Sequence, residues 1–251
     1  MTKIILLITF IIAIIVGYSW FNKSQSNSKL LDNQNAYAKT QKELQAKKDG
    51  FKKNAPSSTK EIYTKGIEQV AKSGVLENAL NVGDTAPNFT LPTIHGTDLE
   101  LYKVLETSPV IVTWYRGGWC PYCNIYLRGL ERFMPKLKPY NAQIIAISPE
   151  TVDKTIETTV DNDIAFAVLS DKGNKVADDY NISYTLPAEV AKAFVGRIDI
   201  PAYNGDDSFK LPLAATYVIG KDRKIHYAFI DADYRERASF DVILESLEKL
   251  R

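Results

Sequence analysis

The segment Trp114-Tyr115-Arg116-Gly117-Gly118-Trp119-Cys120-Pro121-Tyr122-Cys123 contains the only two cysteines of the 251-residue chain, separated by two residues. Thiols at this spacing reach one another with little backbone movement when they open a helix. The unpaired N–H groups of the first turn then favour thiolate over thiol. Thiolate is the reactive form. Arg116, four residues before Cys120, adds a guanidinium that stays protonated at any physiological pH and would lower the pKa of a sulfur beside it. Trp119 directly precedes the pair and Tyr122 lies between its two cysteines, and both would shape access to it. A structural zinc site needs four ligands, and only the isolated His95 and His226 accompany the cysteines, so metal binding is not expected. A purely structural disulfide is also a poor reading, because closing so short a loop removes little entropy from the unfolded chain. Two-electron thiol chemistry is the expectation.

Such a pair needs a strand before it and a helix after it. Val110 to Tyr115 is an apolar, β-branched run too short for a helix, hence a buried strand. After Cys120, a helix places Ile125, Leu130, Phe133, Met134 and Leu137 on one side. Ile144 to Ser148 reads as the next strand, Thr151 to Asp161 as a helix with Val152, Ile156 and Val160 on one face, and Phe166 to Leu169 as a third strand. This alternation predicts a parallel sheet covered by helices. Ala215 to Ile219 and Lys224 to Ile230 flank the turn Lys221-Asp222-Arg223, which adds a hairpin. A closing helix, Phe240 to Leu250, carries Phe240, Ile243, Leu247 and Leu250 inward. The order β-α-β-α-β-β-α, with the reactive pair at the first helix start, is the thioredoxin arrangement: an α/β fold with a central mixed sheet flanked by helices. Tyr184 to Leu211, with Pro187, Pro201 and Asn204-Gly205-Asp206, reads as an insertion placed to cover the site.

The N-terminus poses a different solvent problem. Ile4 to Phe21 contains no charge, with Lys3 before it and Lys23 after it, and Tyr18, Trp20 and Phe21 suit a membrane interface. Residues 1–21 therefore read as a membrane helix. The alternative is a signal segment cut after Gly17-Tyr18-Ser19, which would release a secreted form. Either places the rest of the chain outside the cytoplasm, as a bacterial membrane-anchored, periplasmic domain. Residues 22–80 read as a polar spacer, partly helical near Ala36 to Lys48, followed by a helical extension. In that extension Ser58-Thr59-Lys60-Glu61 has capping-box spacing, Tyr63, Ile67 and Val70 share a face, and Gly74 is a stop. Residues 81–251 form the domain. A net charge of +1 and the lack of a basic stripe argue against nucleic acid as a partner.

Several separated motifs, in order, resemble the peroxiredoxin-like branch of the thioredoxin superfamily, which includes alkyl hydroperoxide reductase and thiol-specific antioxidant domains. They are Val82-Gly83-Asp84-Thr85-Ala86-Pro87-Asn88-Phe89, Arg116 to Asn124, Leu211-Pro212-Leu213-Ala214-Ala215-Thr216-Tyr217-Val218-Ile219 and Ala228-Phe229-Ile230-Asp231-Ala232-Asp233-Tyr234. The resemblance implies a thiol peroxidase that needs no bound cofactor, takes a peroxide as substrate and is regenerated by thioredoxin or a similar dithiol protein. The family's Pro-x-x-x-Thr-x-x-Cys frame puts Arg116 at the Pro, Cys120 at the Thr and Cys123 at the peroxide-attacking position, leaving Cys120 to resolve. In thioredoxin-like exchangers Cys120 would instead be the exposed nucleophile, which keeps a membrane-anchored thiol:disulfide oxidoreductase as the rival. Before the strand at Ala215, thioredoxins place a cis-proline and many peroxiredoxins an arginine. Here that residue is Ala214, with Pro212 two positions too early, so Arg116 is the expected cation. Asp231, Asp233, Tyr234 and Arg237 read as a solvated turn after the last strand.

Overall fold

Ala36, Thr40 and Leu44 recur every four residues, and in the computed structural model, which describes residues 36–251, they form the buried stripe of helix α1 (36–54). This stretch, expected to be spacer, docks on the domain. Tyr37 packs against Phe240 with ring centroids 5.2 Å apart, and Arg132 donates to Thr40 (2.9 Å) and Glu43 (3.1 Å). The helix approaches so closely because residue 129 is glycine: a Cβ there would lie 2.5 Å from Thr40 Oγ1. Thr40 reads as polar in a linear pattern, yet its hydroxyl is satisfied by the Ala36 carbonyl at 2.8 Å and is free to be buried. The apolar segment Ile4–Phe21 lies outside the described residues, among which no helix is long and apolar enough to cross a membrane.

Helix α2 (Ser57–Ala71) follows and buries Gly66 and Val70, with Tyr63 and Ile67 half-buried beside them. It starts at Ser57, one residue before the expected capping box, with Pro56 in the N-cap position, so Ser58 makes no cap. Gly74, at φ +85°, separates it from the short α3 (Val75–Asn78). A hairpin of β1 (Thr90–Pro92) and β2 (Asp98–Glu100) leads into α4 (Leu101–Leu105).

The central elements then run β3 (Val110–Trp114), α5 (Pro121–Leu137), β4 (Gln143–Ser148), α6 (Val152–Asp161), β5 (Ala167–Ser170) and α7 (Lys175–Asp179). The insertion comprises β6 (Ser183–Thr185), α8 (Ala188–Phe194), α9 (Ile200–Asn204) and β7 (Lys210–Pro212), with β6 and β7 paired as their own antiparallel ribbon. It is thus structured throughout. β8 (Thr216–Ile219), β9 (Ile225–Phe229) and α10 (Phe240–Glu248) complete the chain. The sheet order is β5-β4-β3-β8-β9: the first three strands are mutually parallel, and β8 and β9 form the antiparallel hairpin. The pleat of β3 divides the core. Val110, Val112 and Trp114 join the apolar layer that includes Leu101 and Tyr180, whereas Ile111 joins the layer under α5 and α10.

Helix α6 is turned around relative to its apolar periodicity. Thr155, Thr158 and Thr159 face inward, and Val160 on the opposite side is 67% exposed. The inner face is polar because Thr158 serves a buried carboxylate, Glu150, while Thr155 and Thr159 return their hydroxyls to the carbonyls of Thr151 and Thr155.

Candidate active site

β3 ends at Trp114, and the chain crosses the end of the sheet through Arg116-Gly117-Gly118-Trp119 before Cys120 caps α5 in an extended conformation (φ −92°, ψ 108°). Pro121 at the first helical position has φ preset and no N–H to satisfy. The turn closes by hydrogen bonds from Cys120 N–H to the Gly117 carbonyl (3.0 Å) and from Asn124 N–H to the Cys120 carbonyl (3.1 Å). Gly117 sits at φ +144°, where L side chains rarely go. The N–H of Gly118 donates to Glu150 Oε1 at 2.9 Å, and a Cβ at Gly118 would lie 2.1 Å from Thr158 Oγ1. Glu150 holds this loop from beneath. It also accepts from the Tyr115 hydroxyl (2.8 Å), Thr158 (3.0 Å) and Ser148 (3.2 Å). Burial pushes its pKa up, and these donors oppose the rise.

The structure brings Arg116, Trp119, Cys120, Tyr122 and Cys123 together. It does not leave the sulfurs open. Both cysteines are reduced and 1% exposed, and Arg116 is 2% exposed, so the expectation of an accessible pair is corrected. Trp119 and Tyr122 pack in the same apolar layer as the cysteines. The Arg116 guanidinium is held between two aromatic faces, 4.1 Å from the Tyr234 ring centroid and 4.8 Å from that of Trp119. Arg237 Nη2 donates to Cys123 Sγ at 3.3 Å, while its Nη1 is fixed by the Glu236 carbonyl (2.7 Å) and the Tyr234 carbonyl.

These charges act unequally on the two thiols. Burial alone would raise Cys120. Hydrogen bonding from Cys123 and the positive charges of Arg116 and Arg237 override it and bring Cys120 down to about 6. Burial pushes Cys123 well above the ordinary thiol range, and its hydrogen bond to Cys120 and that sulfur's charge add to the rise. The pair is thus tuned unequally, with Cys120, at the helix N-terminus, the more readily ionised of the two thiols. The direct contact from Arg237 reaches the other sulfur and opposes the rise that burial and the neighbouring Cys120 impose on it.

The sequence profile of the AhpC/TSA family matches residues 82–228. The chain belongs to this family. Peroxiredoxin Bcp of Escherichia coli (strain K12) is 26% identical over 172 residues, which cover 68% of this chain and 98% of that protein. The thiol-disulfide oxidoreductase ResA of Bacillus cereus is 29% identical over 104 residues, covering 41% of this chain and 59% of ResA. The crystal structure of peroxidoxin BcpB from Mycobacterium tuberculosis matches with a TM-score of 0.54 at 22% identity over 68% of this chain and 99% of BcpB, a likeness of fold. The protein is a peroxiredoxin-like member of the thioredoxin superfamily.

Three site residues are not legible as such in the sequence. Tyr234 and Arg237, expected in a solvated turn, point inward to Arg116 and Cys123, whereas Asp233 does stay with the turn, holding Arg235 by two hydrogen bonds of 2.7 and 2.6 Å. Arg237 supplies a cation that Ala214 does not, from 114 positions along the chain from Cys123. Glu150 offered one faint signal, an acidic residue directly after an apolar strand. Its buried site appears only when Thr158 and Gly118 fold over it.

Proposed function

We propose that this peroxiredoxin-like protein is a thiol peroxidase in which Cys120 attacks and Cys123 resolves, the reverse of the order implied by the family's Pro-x-x-x-Thr-x-x-Cys frame. The observation that carries the reading is one depressed thiol at a helix N-terminus, beside two guanidinium groups and a second, protonated thiol one turn along. The Cys120 thiolate donates an electron pair to the terminal oxygen of ROOH, and the O–O bond breaks. Cys120 becomes a sulfenic acid, and the departing RO⁻ leaves as ROH after taking a proton. Arg116 and Arg237 stabilise the negative charge as it moves from sulfur to the leaving oxygen. Cys123 then attacks the sulfenic sulfur, its proton and the hydroxyl leave as water, and the Cys120–Cys123 disulfide forms. An external dithiol protein of the thioredoxin kind returns two electrons and two protons by thiol–disulfide exchange.

The test is to mix the reduced protein with hydrogen peroxide and a thioredoxin–reductase couple and to follow NADPH. Peroxide-dependent turnover is expected. Its absence, with reduction of a protein disulfide instead, would favour the thiol:disulfide oxidoreductase that the ResA likeness brings to mind. The burial of both sulfurs speaks against a protein disulfide as the primary substrate. We further propose that Ile4–Phe21 tethers this domain outside the cytoplasm. In a bacterial cell expressing the full chain, the protein should sediment with membranes and be released by detergent but not by salt; salt release would refute the tether.

A further inference from the structure

Two buried guanidinium groups, Arg116 and Arg237, stand at the cysteine pair, and no carboxylate among the described residues forms an ion pair with either. The Arg116 Nε is also buried without a hydrogen-bond partner. A buried charge left unpaired is costly, so these two cations call for negative charge nearby. The cysteines supply one such charge when Cys120 is ionised, since that charge pushes Cys123 further up, and as a disulfide they supply none. Even the reduced pair leaves one positive charge unmatched.

The geometry shows where an anion would answer it. Aromatic rings cover both faces of the Arg116 guanidinium, Tyr234 at 4.1 Å and Trp119 at 4.8 Å, which leaves the N–H groups in its plane for an acceptor. Arg116 lines a cavity, open in part to solvent, together with Tyr63 of α2, Tyr184 of β6 and Tyr234. The Tyr184 hydroxyl comes within hydrogen-bonding reach of Arg116. Burial holds all three phenols protonated, as donors. The strongest charges acting on Tyr63 and Tyr184 are those of Arg116, Arg197 and the two cysteine sulfurs, with no carboxylate among them. The cavity leaves about 20 Å³ for the centres of water-sized particles, where one water needs roughly 10–15 Å³. A single-atom anion therefore reaches these donors without displacing a side chain. Tyr63 and Tyr234 lie outside the residues that match the AhpC/TSA family, so the matched segment alone does not assemble this set.

We propose that Arg116 and the Tyr184 hydroxyl, with the Tyr63 hydroxyl in the same cavity, bind one small monovalent anion of the halide class, and that this anion and the Cys120 thiolate compete for the Arg116 charge. The inference goes beyond the peroxidase reading and needs only the cysteine pair. Its linkage is reciprocal: an anion that hinders ionisation of Cys120 is bound more weakly once Cys120 is ionised, and most tightly beside the uncharged disulfide.

The test uses the full chain in non-ionic detergent, with sodium chloride exchanged for the bulky sodium gluconate at constant ionic strength so that screening is unchanged. In the reduced protein at pH 6, chloride should slow alkylation by iodoacetamide saturably, by about fivefold, the lower end of ordinary coupling between two sites. The effect should fade by pH 8, where Cys120 is ionised with or without the anion. After oxidation by diamide, which takes two electrons and two protons from the pair, chloride should raise the thermal midpoint more than it does in the reduced protein. Tyr184→Phe keeps the ring and removes the donor, so half-saturation should need about tenfold more chloride, the scale of one hydrogen bond to a charged group. Identical behaviour in chloride and gluconate would overturn the site. So would equal midpoint shifts in both redox states, or a folded Tyr184→Phe protein with the parent's half-saturation. Chloride dependence without any peroxide turnover would keep the anion site and refute the peroxidase.

Discussion

Replacing Cys120 by serine is expected to lower the rate of peroxide reduction by roughly 10³-fold or more, the scale on which loss of an enzyme's nucleophile acts. Cys123→Ser should retain the first attack and stop there, accumulating one sulfenic acid per chain, trapped by dimedone on Cys120. The asymmetry follows from the charge distribution. Cys120 is brought down to about 6 by hydrogen bonding from Cys123 and by Arg116 and Arg237, while Cys123 is pushed up by burial and by its charged neighbour. The sign with pH follows directly: below about 6 Cys120 is a thiol and unreactive, so alkylation and oxidation rise with pH through that value and level off by neutral pH. Arg116→Met should move the midpoint upward, towards the roughly 8.5 of a free cysteine. A dimedone adduct on Cys123 in the Cys120→Ser protein would reverse the order of attack and resolution.

The second large effect is on stability. Glu150 accepts from Tyr115, Gly118, Thr158 and Ser148, and no cation pairs with it among the described residues. Glu150→Ala leaves those donors buried without an acceptor. At about 1–3 kcal/mol for each group left unsatisfied, and with partial relaxation, a loss of about 3–5 kcal/mol is expected, a large part of the roughly 5–15 kcal/mol that a domain holds. Glu150→Gln should also lose stability, though less, because its amide turns an NH₂ group towards hydroxyls that now have one acceptor fewer. The same change frees Gly118 and so loosens the turn that presents Cys120. Urea unfolding should show a lower midpoint, and alkylation of Cys120 in the folded variant should change in rate as the turn that presents it loosens. A variant with the parent's midpoint would show that the loop does not depend on this carboxylate.

What the sequence by itself determined is local. The run Val110–Trp114 is β-branched and apolar, so it has to be a buried strand. Cys120-Pro121 starts a helix because proline suits the first helical position, and the thiol spacing then puts both sulfurs at one helix end. The strand order, the hairpin and α10 follow from the same periodicities, to within one or two residues at their ends. Tertiary structure decided the rest, because burial and charge are sums over segments distant in sequence. Arg237 and Tyr234 read as loop residues until the last strand carries them back to the start of α5. The threonines of α6 read as its outer face until Glu150 needs donors. α1 reads as spacer until Gly129 opens a groove for Thr40. Which sulfur ionises more readily is of this second kind: the two thiols are chemically alike in the sequence, and only the placement of two guanidinium groups, a helix end and each other around them lowers the pKa of one and raises that of the other.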